Sequence, residues 1–231
     1  MEAHRSLSLP DQIVLLLHPP RGRPFTSVNR DVVTPAAELA ELVVHGRAEL
    51  TRTVFGNVKV GPVDPTPLGV EALDRPLAAL VNRSGGAARA FSFRSWLSER
   101  TWAFQEHRSS LQQRGYLRHE PDKILGFLSY DRYRPHEATR QPLVDEILRL
   151  ADGERSPDDR LALLVAIAYP SSLHRQFVTS WSQSSRLKHI AKGQDLEGAV
   201  SAVVAKAGGA IASSVGGDGG DGGGGDGGGG S

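Results

Sequence analysis

From Leu161 to Ala168 the chain reads Leu-Ala-Leu-Leu-Val-Ala-Ile-Ala, apolar on nearly every side of a helix. Ser156-Pro157-Asp158-Asp159, immediately before it, supplies a capping group, a proline where no N–H is needed, and first-turn acids. A helix without a polar face cannot lie on a surface. It must be central and wrapped by other elements.

The rest of the chain supplies that wrapping. Leu9, Ile13, Leu16 and Leu17 recur at helical spacing behind a Ser8–Asp11 capping pair and stop at Pro19-Pro20. Thr34 caps a second helix with Pro35 in its first position. Leu39, Leu42 and Val43 form its apolar face, and Gly46 leaves it in the left-handed conformation. Arg47 then starts a strand, and Thr51 to Val60 reads as a hairpin around Gly56-Asn57. Thr66-Pro67 opens another helix through Val70, Leu73, Leu77 and Leu80, in which Pro76 predicts a kink or a break. After a loop from Asn82 to Ala90, one helix runs from Ser95 through Trp96, Phe104 and Leu111 to Gly115. A second hairpin follows, with Pro121-Asp122 at its turn and Ile124 to Tyr130 as its return strand. Gln141 to Ala151 is helical and closes at Gly153. Ser171 to Ile190 and Gln194 to Ser213 add two or three helices, with Leu196, Val200, Val203, Val204 and Ala207 facing inward. The predicted fold class is mainly α, a compact multi-helix domain with a central buried helix and two small β-hairpins. It spans residues 7–214, between a flexible start at 1–6 and a Gly/Asp tail at 215–231 that has nothing to bury.

Composition narrows the chemistry. With no cysteine there is no disulfide, thiolate zinc site or cysteine nucleophile. The longest nearly apolar run, Ile13 to Leu17, is too short to span a bilayer, and neither a cleaved leader nor a lipidation signal is recognisable. The protein is therefore expected to be soluble or peripheral. No Gly-x-Ser-x-Gly elbow or phosphate-cradling Gly-Lys-Ser/Thr loop occurs, and Ser185-x-x-Lys188 lacks its companion motifs. The eight histidines never pair at helical spacing and read as surface decoration. No catalytic residue, metal, cofactor or small-molecule substrate is expected.

Charge points elsewhere. The net charge is +1, but the tail contributes three aspartates, so the remainder is more basic than that figure. Arginine supplies 22 of the 27 basic residues, and its planar fork suits phosphate. The Arg-, Gly- and Ala-rich, Lys-poor composition also suggests a bacterial source with a GC-rich genome. The candidate anion site joins the polar loop carrying Arg21, Arg23 and Arg30 to the helix carrying Arg100 and Arg108. The run Ile124-Leu125-Gly126-Phe127-Leu128 is either a buried strand or an exposed patch that needs a partner.

Several segments, in order, resemble the Golgi phosphoprotein 3 family. Leu7 to Leu17 resembles its opening helix, and the helix–Gly46–Arg47 phrase its second helix and strand. Asp64-Pro65-Thr66-Pro67-Leu68 resembles its entry into the next helix. Leu111-Gln112-Gln113-Arg114-Gly115-Tyr116-Leu117 is similar to its helix end before a hairpin, and Asp158 to Leu164 to its late buried helix. The resemblance implies a non-enzymatic peripheral protein that binds anionic head groups of the phosphatidylinositol 4-phosphate kind. It would be cytoplasmic, on the inner face of a membrane. The family's aromatic and first basic head-group positions fall near Thr26 and on Pro35, and its two helix positions near Thr101 and Phe104. None of these matches, so Arg21, Arg23, Arg30, Arg100 and Arg108 are the expected substitutes. Ile124, Leu125, Phe127 and Leu128 resemble the family hairpin of membrane contact and self-association, which implies a possible homo-oligomer. Two other readings stay open. Helix, Gly115 and hairpin form the local pattern of a winged-helix nucleic-acid module, with Arg100, Arg108, Arg114 and Arg118 nearby, although Glu99, Glu106 and Glu120 interrupt that basic run. The last is an adaptor that binds only protein.

Overall fold

The structure, a computed structural model, describes residues 6–20, 27–55, 57–85, 89–124, 128–193 and 208–212. Arg21, Arg23, Leu125, Phe127, the inward set Leu196 to Ala207 and the Gly/Asp tail lie outside them. Ile124 and Leu128 are described in backbone alone.

Helix α1 (Leu9–Leu17) begins at Ser8, whose hydroxyl accepts the Asp11 N–H at 3.4 Å. All its residues are buried, Asp11 and Gln12 included, so it has no solvent face. Helix α2 (Arg30–Val44) starts one turn earlier than Thr34-Pro35 suggested. Asn29 caps it by accepting the Asp31 N–H at 3.1 Å. Pro35 therefore lies inside the helix, and its carbonyl accepts the Trp96 indole N–H at 2.8 Å. The two helices are antiparallel, because the Leu9 N–H at the start of α1 donates to Glu41 near the end of α2 at 2.7 Å. Gly46, at φ 66°, ends α2 as expected. Its N–H reaches the Val43 carbonyl at 3.0 Å, and the Arg47 N–H reaches Leu42 at 2.8 Å.

Strands β1 (Ala48–Arg52) and β2 (Val58–Pro62) form the first hairpin. Helix α3 (Glu71–Arg83) begins at Val70 rather than at Thr66-Pro67 and runs through Pro76 without a break. The first hairpin is not alone, because β3 (Phe91–Ser92) adds a third antiparallel strand in the order β1-β2-β3. The expected single helix from Ser95 to Gly115 is two helices, α4 (Phe93–Glu99) and α5 (Ala103–Gln113), separated at Arg100. Strands β4 (Leu117–Ile124) and β5 (Leu128–Pro135) pair antiparallel, from Leu117↔Pro135 to Ile124↔Leu128. Helix α6 (Glu137–Asp152) starts a turn before Gln141 and closes at Gly153, φ 82°.

Helix α7 (Asp159–Ala168) is capped by Asp158, not Ser156, with the Leu161 N–H donating to the Asp158 carboxylate at 2.8 Å. Every residue from Leu161 to Ala168 is buried, packed among α1, α2 and α8 (Trp181–Ala191). At its start, Arg160 donates to Glu41 at 2.9 Å and to the Leu7 carbonyl at 2.6 Å. That pins the central helix to the start of α1 and the end of α2. The fold is mainly helical with two small antiparallel sheets, as the hydrophobic pattern required.

Candidate functional site

Because α1 and α2 are antiparallel, the last turn of one meets the first turn of the other. His18, which caps α1, and Arg30, which opens α2, both approach Phe104 on α5. The His18 ring stacks on Phe104 at 5.7 Å between centroids, 10° from parallel, and meets Tyr133 of β5 edge-on at 5.8 Å. The Arg30 guanidinium carbon lies 4.9 Å from the Phe104 centroid. That of Arg108, one turn along α5, lies 5.5 Å from Phe104 and 4.4 Å from Tyr133. Aromatic faces hold guanidinium groups without neutralising them.

These cations are poorly matched by acids. Among the described residues Arg30 has only the exposed Asp31, at 3.9 Å, and no carboxylate pairs with Arg108. Arg140, on the first turn of α6, is 5% exposed and its Nε has no hydrogen-bond partner. Burial depresses its guanidinium, opposed only by the charge of Glu137. His18 is equally enclosed, at 1% exposure. Its Nδ1–H donates to the Val14 carbonyl at 2.7 Å, and its Nε2 is unpartnered. Burial lowers its pKa to about 4, with repulsion from Arg108, Arg30 and Arg140 adding to the shift against the Val14 bond. At neutral pH the ring is therefore uncharged, and Nε2 is a bare acceptor.

Arg100 does not join this cluster. It is 8% exposed, and its guanidinium grips Glu38 with two bonds, Nε to Oε2 at 3.0 Å and Nη2 to Oε1 at 2.7 Å. Nη2 also donates to Glu106 at 2.6 Å. The same network holds His107, whose Nδ1–H reaches Asp11 at 2.8 Å and whose Nε2–H reaches Glu38 at 3.2 Å. Arg114 closes on Asp11 at 2.8 Å. Burial alone would lower His107, but bonds and charge from Asp11 and Glu38 raise it to about 9. Asp11 and Glu38 are held below the usual carboxylate range. Burial acts the other way and is outweighed by His107 with Arg114 for Asp11, and by Arg100 with His107 for Glu38. His18, His107 and His174 are all buried, which corrects the surface reading of the histidines.

The helix–Gly115–hairpin unit is present. Of the four arginines near it, Arg100, Arg114 and Arg118 are paired with carboxylates, while among the described residues no carboxylate pairs with Arg108. Arg118 and Arg134 pair with Glu120, His119 with Asp131 at 2.7 Å, and Arg114 with Asp11. A nucleic-acid wing needs such charges free for phosphates. Two cavities lie elsewhere, one of about 600 Å³ beside the exposed Trp102 and one of about 450 Å³ against Glu146 and Asp158. Neither contains Arg30, Arg108 or Arg140. The cluster is marked by uncompensated charge, not depth, and a head group approaching from outside needs convergent donors more than enclosure. Among the described residues no group of three or more potential ligands is placed to hold a metal.

A buried first helix, a hairpin after Gly115 and a late buried helix occur in the order that the sequence resemblance implies. The family model for Golgi phosphoprotein 3 (GPP34) matches residues 9–207, which is most of the chain. The chain belongs to the Golgi phosphoprotein 3 family. No curated protein matches it significantly. In this family member the expected arginines divide. Arg30 and Arg108 converge, Arg100 is internal, and Arg21 and Arg23 lie outside the described residues. His18 and Arg140 belong to the cluster without any sequence signal. A lone histidine after a helix and an arginine in a helix's first turn acquire meaning only when the elements pack.

Proposed function

We propose that this member of the family is a peripheral membrane protein that binds anionic phospholipid head groups, of the phosphatidylinositol 4-phosphate type, through Arg30 and Arg108. The observation that carries the reading is the convergence of both guanidinium groups on Phe104 where, among the described residues, no carboxylate pairs with Arg108 and Arg30 has only a loose contact from Asp31. A phosphate accepts forked bonds from any arginines that converge on it, so the family's own residue positions are not required. It is consistent with this that no helix among the described residues is long and apolar enough to cross a membrane.

Each arginine near an anionic surface contributes roughly 1 kcal/mol, and salt screens that attraction. In vesicle flotation, membranes containing phosphatidylinositol 4-phosphate should recover the protein at low salt and release it as salt rises. Neutral phosphatidylcholine vesicles should not recover it. Replacing Arg30 and Arg108 together by Gln should reduce recovery by about ten-fold or more. Equal recovery by anionic and neutral vesicles at low salt would refute the function while leaving the family assignment intact.

A further inference from the structure

We propose that Val54 and Phe55, at the tip of the β1–β2 hairpin, insert into the interfacial layer of the same bilayer that Arg30 and Arg108 face. The proposal takes its occupant from the membrane reading above. It adds a contact in a hairpin to which the sequence resemblance assigned no role.

Among the described residues Val54 and Phe55 are the most exposed large apolar side chains, at 96% and 89%. They are adjacent, and the Thr53 N–H donates to the Asn57 carbonyl at 2.8 Å, so strand pairing holds the tip from behind. Arg52 and Lys59 stand on the two strands next to it, opposite Val58 and Thr51. Both are exposed, and among the described residues no carboxylate pairs with either. An apolar tip backed by cations matches the layering of an anionic bilayer, with hydrocarbon beneath phosphate.

The course of the chain brings this tip to the same end of the molecule as Arg30 and Arg108. Helix α2 runs from Arg30 to a far end where Glu41 meets Leu9 and Arg160. Helix α7 starts at that far end and returns, because Gln176, just beyond it, donates to the Leu16 carbonyl near the end of α1 at 3.0 Å. The hairpin makes the same return. Gly208 packs against the Ala166 carbonyl near the end of α7, and Gly209 packs against the Arg52 guanidinium. On the other strand Lys59 pairs with Ser92, and α4, which starts at Phe93, carries Trp96 to the Pro35 carbonyl in the second turn of α2. The lengths agree. The 15 residues of α2 cover about 22 Å and the strand from Ala48 on to Val54 about 23 Å, so the tip comes back to the level of Arg30.

Area decides between a bilayer and a protein partner. Two side chains of this size bury far less than the roughly 1,200 Å² of a stable protein interface, and a projecting tip brings few neighbours to make up the difference. A bilayer needs no complementary surface and takes apolar side chains to a depth of roughly 5–10 Å.

The test uses the full chain. It has no cysteine, so Val54→Cys can carry a single nitrobenzoxadiazole label, with the exposed Glu154→Cys, near the start of α7 at the far end, as control. On phosphatidylcholine vesicles containing phosphatidylinositol 4-phosphate, the label at position 54 should shift to the blue and be quenched by nitroxides on the acyl chains. The label at position 154 should do neither. Replacing Val54 and Phe55 together by Ser should weaken capture by about ten-fold or more and leave the melting temperature unchanged, because neither side chain is packed. A bound protein whose label at position 54 stays in water, or equal capture of the double serine variant, overturns the insertion and leaves head-group binding standing. Capture lost in the serine variant but kept when Arg30 and Arg108 are both changed to Gln leaves the insertion standing and removes the head-group site. A lipid-free dimer in light scattering that the serine variant dissociates, with capture unchanged, puts a second copy on the tip and overturns the proposal. No capture of the wild type by any vesicle overturns both readings.

Discussion

His18 and His107 are both buried imidazoles, pushed in opposite directions by what surrounds them. His107 stands between two carboxylates, and its pKa rises to about 9 from an ordinary 6.5. The folded state thus keeps a proton that the unfolded chain releases between those values. Its contribution to stability is complete below pH 6.5 and is lost as pH rises through 9. Burial, with smaller repulsions from Arg108, Arg30 and Arg140, holds His18 at about 4, so the unfolded chain takes up the proton first. Its contribution is complete above pH 6.5 and is lost as pH falls through 4. Each limb is worth on the order of 3 kcal/mol at its extreme. The urea midpoint should therefore peak near pH 6.5 and decline on both sides, with Asp11 and Glu38 steepening the acid side further down. His107→Gln should flatten the alkaline limb and His18→Phe the acid one. An alkaline decline that survives His107→Gln would show that another group titrates there.

Among the elements, the break between α4 and α5 matters most for the site. A continuous helix from Ser95 to Gly115 would satisfy the apolar spacing, yet the chain turns at Arg100 and resumes at Ala103. That turn delivers the guanidinium to Glu38 on α2 and Glu106 on α5. Breaking a buried ion pair from one side costs about 3–5 kcal/mol, since the partner stays charged and unpaired. Arg100→Met should lower stability by about that amount, measured by urea denaturation. Vesicle capture by the fraction that remains folded should be unchanged. A large loss of capture with unchanged stability would return Arg100 to the head-group site.

At the scale of the whole molecule, α7 ties the outer elements together. It touches α1, α2 and α8, and Leu161 to Ala168 has no solvent face. Truncating Leu163, 1% exposed, to alanine should cost about 2–5 kcal/mol through lost burial and the cavity left behind. If α7 is the common core, the helical circular dichroism and the tryptophan fluorescence of Leu163→Ala should be lost in one coincident transition shifted to lower urea. Two separated transitions would mean that the small sheets and the bundle unfold independently.

The hydrophobic pattern by itself determined the class of fold, the central helix and the ends of α2, α5 and α6. Spacing of apolar residues and a glycine at positive φ are local signals that need no partner to be read. Helix starts were less legible: Thr34-Pro35, Thr66-Pro67 and Ser156-Pro157 all look like caps, whereas the chain begins its helices after Asn29, Val70 and Asp158. Pro35 and Pro76 stand in the second turns of α2 and α3, where each removes one helix bond, and both helices continue through them. The charged residues were the least legible. Nothing local separates Arg100, locked to Glu38 62 positions away, from Arg108, held over two aromatic rings, or from Arg140, whose buried Nε has no partner among the described residues. An arginine's role is fixed by the charges that face it, and those arrive from distant parts of the chain only when the helices pack.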